Sequence, residues 1–212
     1  PGRRLLDVAC GTGLSSVTPL ECGFEVTGTD ISPAMLARAR ARLGVGTDLI
    51  VADMRTLPVL GEFDLVWAVN GPLNYLLGLD ELVASLLAMR RNLAPGGVLL
   101  WDMSTFATFR DLWAAGRRRE HQGRSYTWRG VGDQPAPGEV YEAEVGHDDA
   151  PSHRHRQRHF TAAEVLGAIS AARLPCVKLS GESGGGLSTP LDEDRHTAAV
   201  YVCRARSAGT AG

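Results

Sequence analysis

The 212-residue chain is poor in cysteine, has a single lysine and contains no long apolar run. Its four cysteines are scattered without a C-x-x-C pair, which argues against a disulfide framework or a structural zinc site and favours a reducing cytoplasm. No apolar stretch approaches the roughly 20 residues that cross a bilayer, and none has the pattern of a signal peptide. The formal net charge is −2, so no strong field attracts nucleic acid or an anionic membrane. We therefore expect neither partner.

The composition that is present is ordinary for a globular protein. Hydrophobic residues make up 44% of the chain and charged residues 22%. The length suffices for one domain with a sizeable core but not for two full domains. We expect a single domain over residues 1–212.

In the first half of the chain, apolar runs alternate with helical patterns. Buried strands are predicted at 4–9, 24–30, 48–53, 63–69 and 94–103, and helices at 14–22, 32–43 and 80–93. Ser32 and Pro33 mark the start of the second helix, whereas Pro19 weakens the first. Continuous apolar strands separated by helices indicate a parallel sheet covered on both faces. The sequence therefore predicts an α/β fold.

The pattern changes after about Ser104. The following segment is polar, rich in Arg and His, and predicts antiparallel strands up to about residue 160. A helix and two strands then resume the core, at 161–174, 176–181 and 197–205. We expect a core over residues 3–104 and 161–205, with a polar β insert at about 117–160 before the last helix. A disordered tail is expected at 207–212.

The stretch LLDVACGTGLSS, residues 5–16, joins the first strand to the first helix through a glycine turn. Dinucleotide enzymes use G-x-G-x-x-G here; Gly11 and Gly13 match, but Ser16 occupies the third glycine's place. The carboxylate of Asp7 suits a ligand with a positive charge, such as an amino group, better than a pyrophosphate. The turn therefore favours a ligand other than a dinucleotide, with a nicotinamide cofactor as the alternative.

Two further acids end the next two predicted strands. Asp30, about 20 residues after the turn, is placed to accept hydrogen bonds from ribose hydroxyls. Asp53 can accept a hydrogen bond from the exocyclic amine of an adenine. An amino group, a ribose and an adenine without a phosphate describe S-adenosylmethionine. The structural alternatives are a buried acid that caps the loop at Asp7, helix capping by Asp30 and turn formation at Asp53.

Five motifs resemble, in order, those of class I S-adenosylmethionine-dependent methyltransferases. They run from Leu5 to Met103 and read LLDVACGTG, GTDISPAML, ADMRTLP, FDLVWAVNGPLNYL and LAPGGVLLWDM. The later segment HFTAAEVLGAISAARLPCVKLSG is similar to small-molecule methyltransferases, such as actinobacterial amino-sugar N,N-dimethyltransferases. The resemblance implies a Rossmann-like three-layer sandwich with sheet order 3-2-1-4-5-7-6, in which strand 7 is antiparallel. It also implies in-line transfer of a methyl group from S-adenosylmethionine to a nitrogen or oxygen atom of a small molecule, with S-adenosylhomocysteine as product.

The same resemblance implies the cofactor-binding residues. Asp30 holds the ribose, Ile31 packs on the adenine, and Asp53 with the Met54 backbone meets the adenine edge. Asn70 lies beside the sulfonium and the acceptor. The methionine end is lined by Asp7, Ala9, Cys10, Gly11 and Gly13. Family members usually carry helices before the first strand, and we expect these to be missing from this chain.

The acceptor side is less determined, because an activated methyl donor needs no fixed catalytic pair. Asn70 and Tyr75 are candidate active-site residues, with ordinary turn chemistry as the alternative. His159 is a candidate general base if the acceptor is a hydroxyl. Trp113 and Trp128 are expected to pack in the protein, with lining of an acceptor pocket as the alternative.

The histidines of SHRHRQRHF follow a strand period. This spacing places His153, His155 and His159 on one face with Gln157, and the arginines on the other face. A solvated face is expected, with a lid over the acceptor as the alternative. No acidic or cysteine partner at a recognisable spacing supports a metal site.

Two other functions stay open. A non-catalytic module that binds S-adenosylmethionine or S-adenosylhomocysteine is one, and an NAD(P)-dependent oxidoreductase is the other, against which Asp7 and Ser16 count. Nucleic-acid methylation is disfavoured because NGPL stands where an N-P-P-[YFW]-like motif would follow strand 4. A monomer or a homodimer is expected.

Overall fold

The computed structural model describes residues 2–121, 124–133, 136–147 and 150–206. These residues form twelve strands and five α-helices. The strands are β1 (Arg4–Val8), β2 (Glu25–Asp30), β3 (Asp48–Val51), β4 (Phe63–Ala68), β5 (Leu93–Ser104), β6 (Arg117–His121), β7 (Arg124–Gly130), β8 (Val140–His147), β9 (Ala150–Arg158), β10 (Cys176–Ser183), β11 (Gly186–Ser188) and β12 (Ala198–Arg204). The helices are α1 (Val17–Glu21), α2 (Pro33–Leu43), α3 (Leu79–Arg90), α4 (Phe106–Ala115) and α5 (Ala162–Ala171). The predicted tail, 207–212, lies outside the described residues.

The main sheet has the order β3-β2-β1-β4-β5-β12-β10-β11. Strands β1 to β5 pair in parallel, and β12 runs antiparallel to both β5 and β10. With β10 and β12 as the sixth and seventh core strands, the predicted order 3-2-1-4-5-7-6 is confirmed. The short edge strand β11 was not predicted.

The centre of this sheet is buried on both faces. Every residue of β1 from Leu5 to Val8 is buried, as expected for a strand covered on both sides. Leu6 and Val8 join one core cluster with buried residues of α3 and α5. Trp101 of β5 stacks on Tyr201 of β12 with ring centroids 5.1 Å apart. These strands therefore form a rigid base, and their carboxyl ends meet at one edge.

The helix boundaries follow from local chemistry. Helix α2 begins as predicted, with the Ser32 hydroxyl accepting a 3.3 Å hydrogen bond from the Met35 N–H. Helix α1 is shorter than predicted because hydrogen-bonded turns occupy residues 13–16. Helix α3 ends before the predicted residue 93. There the Asn92 side-chain amide donates hydrogen bonds to the carbonyls of Ala88 and Pro58, at 3.1 and 3.0 Å.

The predicted insert forms a separate antiparallel sheet, in the order β6-β7-β8-β9. One face carries two cross-strand ion pairs, Arg156–Glu142 at 3.3 Å and Arg154–Glu144 at 3.5 Å. The other face packs on α4, a helix that the sequence did not predict. Its Phe109 ring lies 4.2 Å from the ring of Tyr141 in β8. The insert is thereby held against the carboxyl edge of the main sheet.

Candidate active site

The glycine turn after β1 adopts a left-handed backbone at three positions. Ala9, Gly11 and Gly13 have φ values of 56°, 56° and 73°. A Cβ on Gly11 would meet no atom within 4 Å, whereas one on Gly13 would lie 2.7 Å from Leu43 Cδ1. Gly11 is therefore required for its backbone conformation, and Gly13 also for the close approach of α2.

The carboxylate of Asp7 lies beneath this turn and is only 1% exposed. Its Oδ2 accepts hydrogen bonds from Ser15 Oγ at 2.7 Å and from Ser16 Oγ at 2.6 Å. Burial raises the pKa of Asp7, and the two serine hydrogen bonds oppose that rise. Ser16, which breaks the dinucleotide motif, therefore has a positive role that sequence reasoning missed: its hydroxyl holds the Asp7 carboxylate.

Asp30 joins the end of β2 to the glycine turn. Its Oδ2 accepts from the Gly11 N–H and its Oδ1 from the Ser32 N–H, both at 2.8 Å. The neighbouring Cys10 is buried, and burial together with the charges of Asp7 and Asp30 raises the pKa of its thiol to about 12. Cys10 is therefore a packing residue of the turn and is not a nucleophile.

A cavity of about 160 Å³ opens between the ends of β1, β2 and β3. Ligand pockets typically measure about 300–1,000 Å³, so this cavity admits part of a ligand, such as a base. Ile31 stands at it with 61% of its surface exposed, which is unusual for an isoleucine unless a ligand covers it. The cavity is lined by Ala9, Asp30, Ile31, Ala52, Asp53, Met54, Arg55, Tyr75 and Leu76.

The cavity brings together six of the predicted site residues, namely Ala9, Asp30, Ile31, Asp53, Met54 and Tyr75. A larger cavity of about 830 Å³ lies at the opposite edge of the sheet, beside Ala94 and Ala205, and no predicted site residue lines it. Ligands of open α/β sheets bind at the carboxyl ends of the strands. The smaller cavity is therefore the candidate ligand site.

Asp53 is held by an arginine. Arg55 Nε lies 3.0 Å from both carboxylate oxygens of Asp53, and its Nη1 lies 2.6 Å from Glu81 Oε1. These hydrogen bonds lower the pKa of Asp53. Glu81 in turn accepts from the Leu77 N–H at 2.7 Å, at the start of α3. The guanidinium of Arg55 thus fixes the Asp53 carboxylate at the cavity, a role that sequence reasoning missed.

Asn70 lies after β4, where the chain turns with φ values of 73° at Asn70 and 70° at Gly71. The Asn70 N–H donates to Asp102 Oδ1 at 2.6 Å, and burial raises the pKa of Asp102. The exposed Asn70 does not line the cavity but stands at the same edge of the sheet. Asp102, at the end of β5, was not predicted; its signal is an acid in an otherwise apolar strand.

Asn74 connects three parts of the protein. Its buried side chain accepts from the Ser104 N–H at 2.8 Å and donates to the Arg158 carbonyl at 2.9 Å. The next residue, Tyr75, lines the cavity and hydrogen-bonds His155 of the insert, with 2.9 Å between the phenolic oxygen and Nδ1. The insert therefore contacts the lining of this cavity through residues 74 and 75.

His159 does not line the cavity. It follows the end of β9 and is 1% exposed, with Nδ1 accepting from the Gly138 N–H at 3.1 Å. Its Nε2 lies 3.7 Å from Glu193 Oε1, and the rings of Phe106 and Phe109 flank it. The prediction that His159 continues the exposed strand face is wrong, because the strand ends at Arg158.

Of the remaining residues of that face, His153 is exposed as expected, whereas His155 and Gln157 differ from the expectation of a solvated surface. Through the register of β8 and β9, His155 and Gln157 share the inner face with Tyr141 and Ala143. Both are half-buried, and His155 contacts Trp128 across 5.1 Å. The side chain of Trp113 lies outside the described residues. Among the described residues, no group of three His, Cys, Asp or Glu side chains is arranged to hold a metal.

Comparison with known proteins agrees with this geometry. The family profile described as "Methyltransferase domain" matches residues 5–97. The putative methyltransferase YqeM of Bacillus subtilis is 38% identical over 103 residues, which cover 47% of this chain and 42% of that protein. This chain thus matches well under two thirds of that relative's length. Among the described residues no helix is long and apolar enough to span a membrane.

Two relatives match beyond the cofactor half. The dTDP-3-amino-3,4,6-trideoxy-alpha-D-glucopyranose N,N-dimethyltransferase of Streptomyces venezuelae is 34% identical over 194 residues, or 86% of this chain and 80% of that protein. The structure of the sugar N-methyltransferase KedS8 from Streptoalloteichus has a TM-score of 0.72 and 29% identity, covering 97% of this chain and 81% of that one. The chain belongs to the S-adenosylmethionine-dependent methyltransferases of the class I, Rossmann-like fold.

Proposed function

We propose that this protein transfers a methyl group from S-adenosylmethionine to the amino nitrogen of a nucleotide-linked amino sugar. The carrying observation is that the match to an amino-sugar N,N-dimethyltransferase spans 86% of this chain. The matched region therefore extends past the N-terminal half, which carries the predicted cofactor-binding motifs, into the half that contains the insert. Since fold alone does not determine the acceptor, this extended match supports the substrate class.

The residues at the carboxyl edge fit S-adenosylmethionine. The open space over Gly11 admits a ligand close to the backbone, and the exposed Ile31 offers an apolar surface to an adenine. We assign the ribose to Asp30 and the adenine edge to Asp53 and Met54. Asn70 is assigned to the neighbourhood of the sulfonium. The methionine end is assigned to Asp7, Ala9, Cys10, Gly11 and Gly13.

The cofactor, when bound, supplies a methyl group on a positively charged sulfur that is ready to leave. The amine lone pair of the acceptor forms the new N–C bond while the C–S bond breaks and its electrons return to sulfur; the amine then loses a proton to water. Alignment of the two reacting atoms can lower the activation barrier by roughly 7–11 kcal/mol in favourable cases. The protein's task is therefore to hold the acceptor in line.

A nitrogen acceptor is favoured over a hydroxyl. A hydroxyl must lose its proton during transfer, which calls for a general base within hydrogen-bond reach. The candidate base His159 is buried and its Nδ1 is engaged by the Gly138 N–H. A neutral amine attacks without such a base. We also propose a reducing cytoplasmic location, since all four cysteines are free. We further propose that the protein has no nucleic-acid partner and is a monomer or a homodimer.

The test combines binding with turnover. S-adenosylhomocysteine is titrated calorimetrically into the wild type, with NADH as the competing ligand, and Asp30→Ala is compared with Asp48→Ala, an exposed acid at the start of β3. We expect micromolar binding of S-adenosylhomocysteine alone, lost only in Asp30→Ala. Mass spectrometry then follows methylation of dTDP-3-amino-3,4,6-trideoxyglucose. Binding without turnover of any amine would favour the non-catalytic module, and binding of NADH alone would favour the oxidoreductase.

A further inference from the structure

Tyr75 belongs to two parts of the protein at once. Its ring lines the cofactor cavity, and its hydroxyl lies 2.9 Å from His155 Nδ1 on β9 of the insert. The two rings also meet edge to face, with centroids 5.8 Å apart. A group that contacts both the cofactor and the insert is placed where donor and acceptor must be aligned.

The direction of this hydrogen bond follows from the partners available. We assign the Tyr75 hydroxyl as the donor and His155 Nδ1 as the acceptor, since His155 is the one hydrogen-bond partner of this hydroxyl among the described residues. Burial, followed by the charge of His153, lowers the pKa of His155 and favours the neutral ring. A neutral imidazole that accepts at Nδ1 carries its proton on Nε2. His155 therefore offers an N–H donor and has no free lone pair for a general base.

The other side of His155 is aromatic. Trp128 of β7 lies 5.1 Å away between ring centroids, although β8 separates the two strands. The register makes this contact a diagonal one: Trp128 pairs with Val145 of β8, whereas His155 pairs with Ala143, whose small side chain leaves room for the two rings to approach. Neighbouring strands are about 4.8 Å apart, so the rings must lean toward each other over β8. The result is an indole ring beside the imidazole Nε2 of His155, which has no hydrogen-bond partner among the residues that the structure describes.

We propose that Tyr75, His155 and Trp128 form the positioning site for the acceptor. His155 Nε2–H donates a hydrogen bond to an oxygen of the acceptor ring, and the indole of Trp128 packs on the apolar C–H surface of that ring. Tyr75 holds the imidazole by a hydrogen bond and thereby sets the position of that ring relative to the cavity that Tyr75 lines. The site thus takes a hydroxylated, non-planar ring, and this choice of class rests on the proposed amino-sugar function.

Binding is tested apart from turnover. The wild type is saturated with S-adenosylhomocysteine and titrated with dTDP-3-amino-3,4,6-trideoxyglucose, while ¹⁵N spectra follow the His155 ring and the Trp128 indole. We expect a proton on Nε2 in the free protein and shifts of both signals on addition of the sugar. Calorimetric binding with both signals unchanged would overturn the proposed site, even if the sugar is methylated. Shifts without methylation would leave the site standing and reject the proposed function.

Kinetics separate positioning from general structural damage. His155→Ala is expected to raise the acceptor KM about tenfold, the loss of one hydrogen bond, with kcat within about threefold of wild type. Tyr75→Phe should raise KM by a smaller factor. His155→Asn should restore most of the affinity, because its amide both accepts from Tyr75 and donates onward. S-adenosylhomocysteine affinity should stay within about twofold throughout.

The matched control is His153→Ala, which removes the same side chain from the same face, two residues earlier on β9. His153 is exposed, and its substitution should leave KM unchanged. An equal rise in KM for His153→Ala, or no rise for His155→Ala, would overturn the assignment.

Discussion

Ser16 Oγ lies 2.6 Å from Asp7 Oδ2, and both side chains are buried beneath the glycine turn. Ser16→Ala removes one of the two donors that hold this carboxylate. We expect the free energy of unfolding to fall by about 1–3 kcal/mol, the typical penalty for a buried polar group that loses a partner. Urea unfolding measures the change. Ser15→Ala, at the less buried donor, should destabilise less; the reverse order would contradict this account.

Asp7→Asn separates stability from cofactor affinity. Burial raises the pKa of Asp7 above its unfolded value of about 3.9, so the native state loses stability as the pH rises from there through the folded pKa. Above the folded pKa the ionised, buried carboxylate therefore destabilises the fold. We expect Asp7→Asn to raise the midpoint of thermal unfolding at pH 7 and to flatten its dependence on acidic pH, while calorimetry shows weaker S-adenosylhomocysteine binding. A lower midpoint at pH 7 would show that the charge stabilises the turn.

Gly11 and Gly13 form a matched pair for the glycine turn. Both have positive φ, but only a side chain at Gly13 would collide, at 2.7 Å from Leu43 Cδ1. Gly11→Ala should cost about 1–2 kcal/mol of unfolding free energy, the penalty for a left-handed residue. Gly13→Ala should cost at least 1 kcal/mol more, because overpacking adds to the backbone penalty. Urea unfolding of the protein without cofactor tests the difference, and equal losses would remove the packing role of Gly13.

Arg55 and Asp53 should act as a unit in cofactor binding. Arg55→Ala releases the carboxylate that lies at the cavity, so we expect it to weaken S-adenosylhomocysteine binding about three- to tenfold, and we expect the same of Asp53→Ala. The double variant should lose little more than either single one, a non-additivity that a calorimetric double-mutant cycle detects. The ion pair is partly exposed, so the free energy of unfolding should change by at most about 1 kcal/mol. Additive losses would indicate two independent contacts.

The five core strands and the positions of Asp30 and Asp53 at the strand ends could be predicted because they depend on local patterns, whereas the order of the sheet was implied by the resemblance to class I methyltransferases. A run of buried apolar residues fixes a strand, and an acid at its end is carried to the same edge as its neighbours by parallel pairing. Helix α4 was not predicted from the sequence; it is stabilised by packing of Phe109 on Tyr141, a contact between separate elements.

The acceptor side could not be predicted from spacing. A strand period places His155 and His153 alike, yet one contacts Tyr75, 80 residues away along the chain, and the other is exposed. His159 obeyed the same period but lies beyond the strand, buried against Phe106 and Phe109. Which histidine meets the cofactor site depends on how the insert docks on α4, and no local signal encodes that.

The sequence by itself determined the α/β sheet, the glycine turn and the acids at the strand ends, since each depends on residues close in the chain. The tertiary structure alone decided that Ser16 holds Asp7, that Glu81 of α3 meets Arg55 and that His155 meets Tyr75. These contacts depend on side-chain directions and on the approach of separate elements. Their geometry is set by the packing of the whole core, which a one-dimensional pattern does not contain.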